Sequence, residues 1–209
     1  IIKIKKKMFF FLNALDEKTQ VKITHSISKI IDHSPFFCPR TPRFNKPFNI
    51  LITNAGKWGW KADAHGYGYI NTHPLTGKSW TNIPKILFKI WKHYCSNDQL
   101  PNSCLINLYN KKSTLGLHQD KDENDFSIPV LSISLGSSAL FNYGNNKSTI
   151  KNICLTSGSV VLMKDHSRLF YHGISKVYMD KINVLHTTNP KKFGRDCRIN
   201  LTLRRYTPI

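Results

Sequence analysis

The sequence predicts an α+β fold in which a mixed N-terminal part leads into an all-β half, closed as a double-stranded β-helix, a form of jelly roll. Three observations predict it. From residue 104 onward, short alternating strands are broken by turn signals at Gly136, Gly144 to Asn146 and Ser157-Gly158. Upstream, apolar residues recur at helical spacing instead. Finally, His118-Gln119-Asp120, then His172, then the strand-like run Arg198 to Arg204 follow one another in the order that a metal site lining such a barrel requires.

The elements follow in chain order. Lys5 to Lys7 and the apolar run Phe9 to Leu12 imitate a signal peptide, but the run ends after four residues and Asp16-Glu17 follows, so that reading is rejected. Met8 is a candidate start of translation, which the sequence alone leaves open. Residues 13–31 carry an imperfect helical pattern ending in Ile23, Ile27, Ile30 and Ile31. The stretch 33–47 holds four prolines and reads as a surface loop. Phe48 to Thr53 suits a strand. Trp60 to Trp80, rich in glycine and aromatics, reads as a functional loop or hairpin region. A polar cap and early proline at Thr81 to Pro84 open a helix with Ile83, Leu87, Ile90, Trp91 and Tyr94 on one face. One compact domain is expected, with an N-terminal extension over 1–47, a lid and supporting helix over 48–100, and the catalytic core over 101–209.

Composition narrows the classes. A formal net charge of +19 and a pI near 9.9 suit a polyanionic partner, although the abundance of Ile, Lys and Asn could create the same excess through codon bias. Five scattered cysteines form no Cys-x-x-Cys pair, which argues for reduced thiols in the cytoplasm and against zinc. No apolar run approaches a membrane span.

Two histidines and a carboxylate form a facial triad, which holds Fe(II) on one side and leaves the opposite positions open. Residues i and i+2 of a strand share a face, so His118 and Asp120 can reach one metal. The third ligand is His172, with His166 the rival six residues earlier. In the last run, Arg198, Asn200, Thr202 and Arg204 share one face and Ile199, Leu201 and Leu203 the other. Two guanidinium groups on a buried face need an anionic partner, and a dicarboxylate such as 2-oxoglutarate beside an iron is one.

Several longer stretches carry a resemblance: Cys104 to Tyr109, Leu117 to Glu123, Ser132 to Gly136, Ser167 to Ile174 and Arg198 to Arg204, with Thr53 to Gly56, Gly59-Trp60 and Gly66 to Tyr69 upstream. Together they resemble the AlkB family of oxidative nucleic-acid demethylases, most of all its bacterial members, over roughly residues 48 to 206. The resemblance implies a monomeric Fe(II) and 2-oxoglutarate dioxygenase that removes N-methyl groups from bases such as 1-methyladenine and 3-methylcytosine, with release of formaldehyde, succinate and CO2. It implies methylated DNA, single- or double-stranded, as partner, with RNA an alternative. The block around His172 favours that residue over His166. Asn107, Tyr109, Arg198 and Asn200 match positions around the co-substrate, and Arg204 is expected on its distal carboxylate, because a planar fork matches a carboxylate. Trp60 would stack on a flipped base opposite His118, Tyr67 would contact its backbone, and Asp122 would favour a cationic base. Arg168 is expected to support the pocket. Asn110 to Leu115 and Met163 depart from the pattern of close relatives. A hydroxylase of proteins or small molecules would keep the triad without needing Trp60 and Tyr67, and a non-catalytic nucleic-acid binder would not need the triad.

Overall fold

A computed structural model describes residues 8–95 and 99–208. Lys5 to Lys7, on which the rejected signal-peptide reading falls, lie outside the described residues. The chain runs β1 (Phe9–Phe11), α1 (Glu17–His33), β2 (Leu51–Gly56), β3 (Gly59–Asp63), β4 (Gly66–Ile70), α2 (Lys85–Cys95), β5 (Ser103–Tyr109), β6 (Leu115–His118), β7 (Val130–Gly136), β8 (Ala139–Gly144), β9 (Lys151–Leu155), β10 (Val160–Met163), β11 (Tyr171–Val177), α3 (Val184–Thr188) and β12 (Arg198–Arg204). No helix among the described residues is long and apolar enough to cross a membrane.

Both helical expectations correspond to helices. Asp16 caps α1 by accepting from the Thr19 amide at 2.8 Å, and Ile23, Ile27 and Ile30 face the core one turn apart. Pro84, which has no amide hydrogen to leave unpaired, directly precedes α2, whose Leu87, Ile90 and Trp91 are buried. The five-residue α3, capped by Asn183, had no sequence signal.

Two antiparallel sheets form the barrel. The larger has the order β1-β10-β7-β12-β5-β2 and the smaller β6-β11-β8-β9, while β3 and β4 form a separate hairpin. β1 and β2, from the N-terminal part, therefore belong to the same sheet as the C-terminal strands. The apolar run at Phe9 becomes an edge strand, and the strand expected at Phe48 begins three residues later, at Leu51.

Alternation along the large sheet separates two cores. Ile199, Leu201 and Leu203 of β12 join Leu131, Ile133 and Leu135 of β7 and the buried faces of α1 and α2. The opposite face contributes Leu105, Tyr109, Val130 and Met163 to a second cluster with Phe141 and Ile174 of the small sheet. Helices thus cover one face of the large sheet, and the small sheet covers the other. The polar positions of β12 point into the space between the sheets, and that space is the site.

Candidate active site

β6 and β11 pair antiparallel with His118 directly opposite His172. This register, rather than the His-x-Asp spacing alone, brings the imidazoles together, with ring centroids 4.4 Å apart. Gly173 allows the close approach. A Cβ there would lie 2.6 Å from the Leu115 carbonyl oxygen and 2.9 Å from that of Gly116, so any larger residue would push β6 away. β6 stops at His118, so Asp120 reaches the centre from the following loop and not, as the spacing suggested, from a shared strand face.

The three side chains fit a divalent metal. Asp120 Oδ1 lies 3.8 Å from His118 Nε2, and Asp120 Oδ2 lies 3.7 Å from His172 Nε2. One ligand atom from each residue falls within 4.8 Å of the others. His118 Nδ1 meets the Gly116 carbonyl at 2.9 Å and His172 Nδ1 that of Phe170 at 3.0 Å. These bonds place the proton on Nδ1 and leave the Nε2 lone pair for coordination. Burial, then the neighbouring His118, pulls His172 down to about 4, so the imidazole is neutral and ready to bind. Burial alone would raise the Asp120 carboxyl, but Arg204, then His172 and His118, hold it well below the usual carboxylate range. Asp120 Oδ2 is buried without a hydrogen-bond partner, which is costly unless a cation takes it. A 2-His-1-carboxylate set of this kind suits Fe(II).

The two arginines of β12 keep different company. Arg204 forks between Asp120 Oδ1 at 2.7 Å and Glu123 Oε1 at 3.1 Å. Arg198, only 1 % exposed, donates to Ser134 Oγ at 2.8 Å and the Ser137 carbonyl at 3.2 Å, and its Nε has no partner. Burial lowers Arg198 to about 10, which leaves it cationic at neutral pH. Among the described residues it forms no salt bridge. Arg204, expected on the distal carboxylate of the co-substrate, thus has its fork engaged beside the triad. Asn200 donates to Ser132 Oγ at 2.7 Å and accepts from Thr202 Oγ1 at 3.0 Å, while Asn107 and Tyr109 face the same space from β5.

The β3–β4 hairpin closes the opening. Trp60 Nε1 donates to Asp122 Oδ2 at 2.6 Å, and the Tyr67 ring lies nearly parallel to the indole, 5.9 Å away between centroids and 13° apart. Tyr67 is 53 % exposed and Trp60 half-buried. All the site residues expected from the sequence, from Trp60 to Arg204, line one cavity of about 540 Å³. His166 does not, since it is exposed in a 3-10 turn over Asp165–Ser167.

Sequence reasoning missed a buried ionic hub. Glu123 accepts from Arg168 Nη2 at 2.9 Å, from Arg204 and from the Tyr69 hydroxyl. Burial of that hydroxyl pushes Tyr69 well up, so it remains a neutral donor. Arg168 also donates to the Asp120 carbonyl at 2.6 Å and the Ile128 carbonyl at 3.0 Å, which ties the 120–128 loop to the barrel. The available signal was charge balance: a strand presenting two inward arginines had to meet a carboxylate, and Glu123 ends the His118 motif.

The model of the 2OG-Fe(II) oxygenase superfamily matches residues 7–204. An "Alpha-ketoglutarate-dependent dioxygenase AlkB homolog" of Caulobacter vibrioides is 36% identical over 193 residues, 91% of this chain and 84% of that protein. The "DNA N(6)-methyladenine demethylase ALKBH1C" of Arabidopsis thaliana is 30% identical over 97% of this chain and 49% of that protein. The solved structure of OsALKBH1 superposes with a TM-score of 0.78 at 30% identity, covering 95% of this chain and 96% of the other. The jelly-roll fold, the facial triad and the span of these matches agree, and the chain belongs to the AlkB family of Fe(II)- and 2-oxoglutarate-dependent dioxygenases.

Proposed function

We propose that the protein oxidatively demethylates N-alkylated bases of DNA, of the 1-methyladenine and 3-methylcytosine type, as a monomer acting in cytoplasmic DNA repair. The observation that carries this reading is the aromatic hairpin: Trp60 and Tyr67 stand over the same cavity that holds the triad. A base inside a duplex cannot reach such a centre, so the target must be flipped out or single-stranded and held by stacking. The Arabidopsis relative is named for DNA demethylation, which agrees with this assignment. The net charge of +19 suits a phosphate backbone, and the five free cysteines suit a reducing compartment.

When bound, Fe(II) and 2-oxoglutarate supply, with O2, the oxidising equivalent that hydroxylates the N-methyl group, while 2-oxoglutarate becomes succinate and CO2. The hydroxymethyl adduct then releases formaldehyde and the unmodified base, and the positive charge of 1-methyladenine or 3-methylcytosine is lost with it. The chain's residues hold and orient. His118, His172 and Asp120 offer Nε2, Nε2 and Oδ2 to the metal. Arg198, buried and without an ionic partner among the described residues, takes the distal carboxylate of 2-oxoglutarate, with Asn107, Tyr109 and Asn200 lining its path. Arg204 keeps Asp120 ionised and oriented. Trp60 stacks on the base, Tyr67 contacts its backbone, and Asp122, fixed by the indole N–H, faces the cavity with a negative charge that favours a cationic base.

The test is formaldehyde release from 1-methyladenine and 3-methylcytosine oligonucleotides with Fe(II) and 2-oxoglutarate, run in parallel on DNA and RNA. Stoichiometric formaldehyde and succinate from DNA support the reading. Succinate without formaldehyde from either polymer would move the assignment to a hydroxylase of another substrate class, and preference for RNA would change the polymer.

A further inference from the structure

Trp60 and Tyr69 are cross-strand partners in the β3–β4 hairpin, and they reach consecutive carboxylates of one loop: Trp60 donates to Asp122, and the Tyr69 hydroxyl to Glu123. Asp120, the metal carboxylate, stands in that same loop. From Glu123 the contacts continue without a break. Its Oε1, which accepts from Tyr69, also accepts from Arg204 Nη1 at 3.1 Å, and Arg204 Nη2 ends on Asp120 Oδ1 at 2.7 Å. Glu123 is 1 % exposed, and its other oxygen is held by Arg168 at 2.9 Å.

We propose that Tyr69 and Glu123 are positioning residues that couple the nucleotide-facing hairpin to the metal carboxylate, through Arg204. The inference rests on the proposed function only for what the hairpin receives. With Oδ1 taken by Arg204, Asp120 presents Oδ2 as its free donor, and that atom has no hydrogen-bond partner. Arg204 can aim at Oδ1 only while its other nitrogen is anchored by Glu123. Glu123 is in turn fixed by Arg168 on one oxygen and by Arg204 and Tyr69 on the other. Tyr69 is the member of this chain that belongs to the hairpin. When the hairpin is down, the hydroxyl completes the shell of Glu123; when it lifts, Glu123 and Arg204 gain freedom and Asp120 loses its fixed orientation. Coupling of this kind is reciprocal, so whatever seats the hairpin also tightens the metal.

A bland alternative exists. The Tyr69 ring stacks on Tyr206 at 4.3 Å and 18°, so the residue could serve only to fasten the hairpin. Tyr69→Phe separates the two roles, because it keeps the ring and removes the hydroxyl. The experiment titrates Co(II) into protein without nucleic acid and records both affinity and the visible ligand-field bands. Removing a partner that orients a metal ligand typically weakens metal binding by 10- to 100-fold, so Tyr69→Phe is expected to weaken Co(II) by about tenfold and shift the bands. Glu123→Gln should act in the same direction. In the Glu123→Gln background, Tyr69→Phe should add nothing, because both act along one chain. If Tyr69→Phe binds Co(II) with wild-type affinity and bands, or if the two effects simply multiply, the coupling is refuted and Tyr69 is a fastener. Should Tyr69→Phe fail to fold, Tyr206→Leu takes its place: loosening the stack unseats the hairpin, so the coupling requires weaker Co(II) binding than wild type, and unchanged Co(II) affinity and bands would refute it. The demethylase reading fails separately, through absence of formaldehyde from wild-type protein, whatever the Co(II) data show.

Discussion

Arg198 and Arg204 sit on the same face of the same strand, both buried, and alternation makes them indistinguishable. Their surroundings make them opposites. Arg204 is saturated with charge, forked between Asp120 and Glu123, and its positive state is stabilised well beyond the ordinary value, chiefly by Asp120 against the cost of burial. Arg198 is held by a serine hydroxyl and backbone carbonyls, and burial weakens its charge. One end of the strand is therefore complete in itself, whereas the arginine at the other has no ionic partner among the described residues. The lesson is that a pattern of residue types identifies a binding face, but the company each residue keeps decides which one binds.

The largest effect is expected where the complete end is broken. Removing one partner of a buried ion pair typically costs about 3–5 kcal/mol, so Arg204→Ala should lower thermal stability sharply and abolish Fe(II) binding with it. A well-folded Arg204→Ala protein with normal metal affinity would break the comparison. His172→Ala and Asp120→Ala should each abolish turnover and succinate formation; His172→Ala should affect stability less, because it removes a coordinating atom and leaves the ion pairs intact, whereas Asp120→Ala also takes a partner from Arg204.

At the open end the loss should be one of affinity. Arg198→Lys keeps a charge but not the planar fork, and losing a charged hydrogen bond worth about 1.5–3 kcal/mol should raise KM for 2-oxoglutarate roughly 10- to 100-fold. KM for the oligonucleotide should barely move. Equal effects on both would place Arg198 on phosphate or in a structural role.

Trp60→Ala sharpens the separation between iron site and lid. Loss of about 1–3 kcal/mol of base stacking should lower demethylation about tenfold, while 2-oxoglutarate turnover without DNA persists. The smallest effect belongs to His166→Ala. An exposed histidine outside the cavity should change stability by no more than about 0.5 kcal/mol and leave Fe(II) affinity unchanged. Loss of iron in that variant would overturn the choice of His172.

Much of this was legible before the structure, and for identifiable reasons. The jelly-roll core, the triad and the inward face of β12 are written in local spacing, which a strand's two-residue period makes readable. What eluded that reading is long-range. Glu123 pairs with residues 45 and 81 positions away, and Tyr69 reaches it across 54. The different surroundings of Arg198 and Arg204 depend on those partners, so spacing alone could not distinguish the two arginines. The meeting of His118 with His172 was readable only as an order of motifs. The register that achieves it depends on Gly173, whose missing Cβ admits the backbone of β6.

The central claim is that Arg198 takes the distal carboxylate while Arg204 orients Asp120. Its most direct test is calorimetric binding of 2-oxoglutarate and of 2-oxopentanoate, which carries a methyl group in place of that carboxylate, to Co(II)-loaded protein. Wild type and Arg204→Lys should both prefer 2-oxoglutarate strongly, and Arg198→Lys should lose most of that preference. Loss of the preference in Arg204→Lys, with retention in Arg198→Lys, would contradict the account.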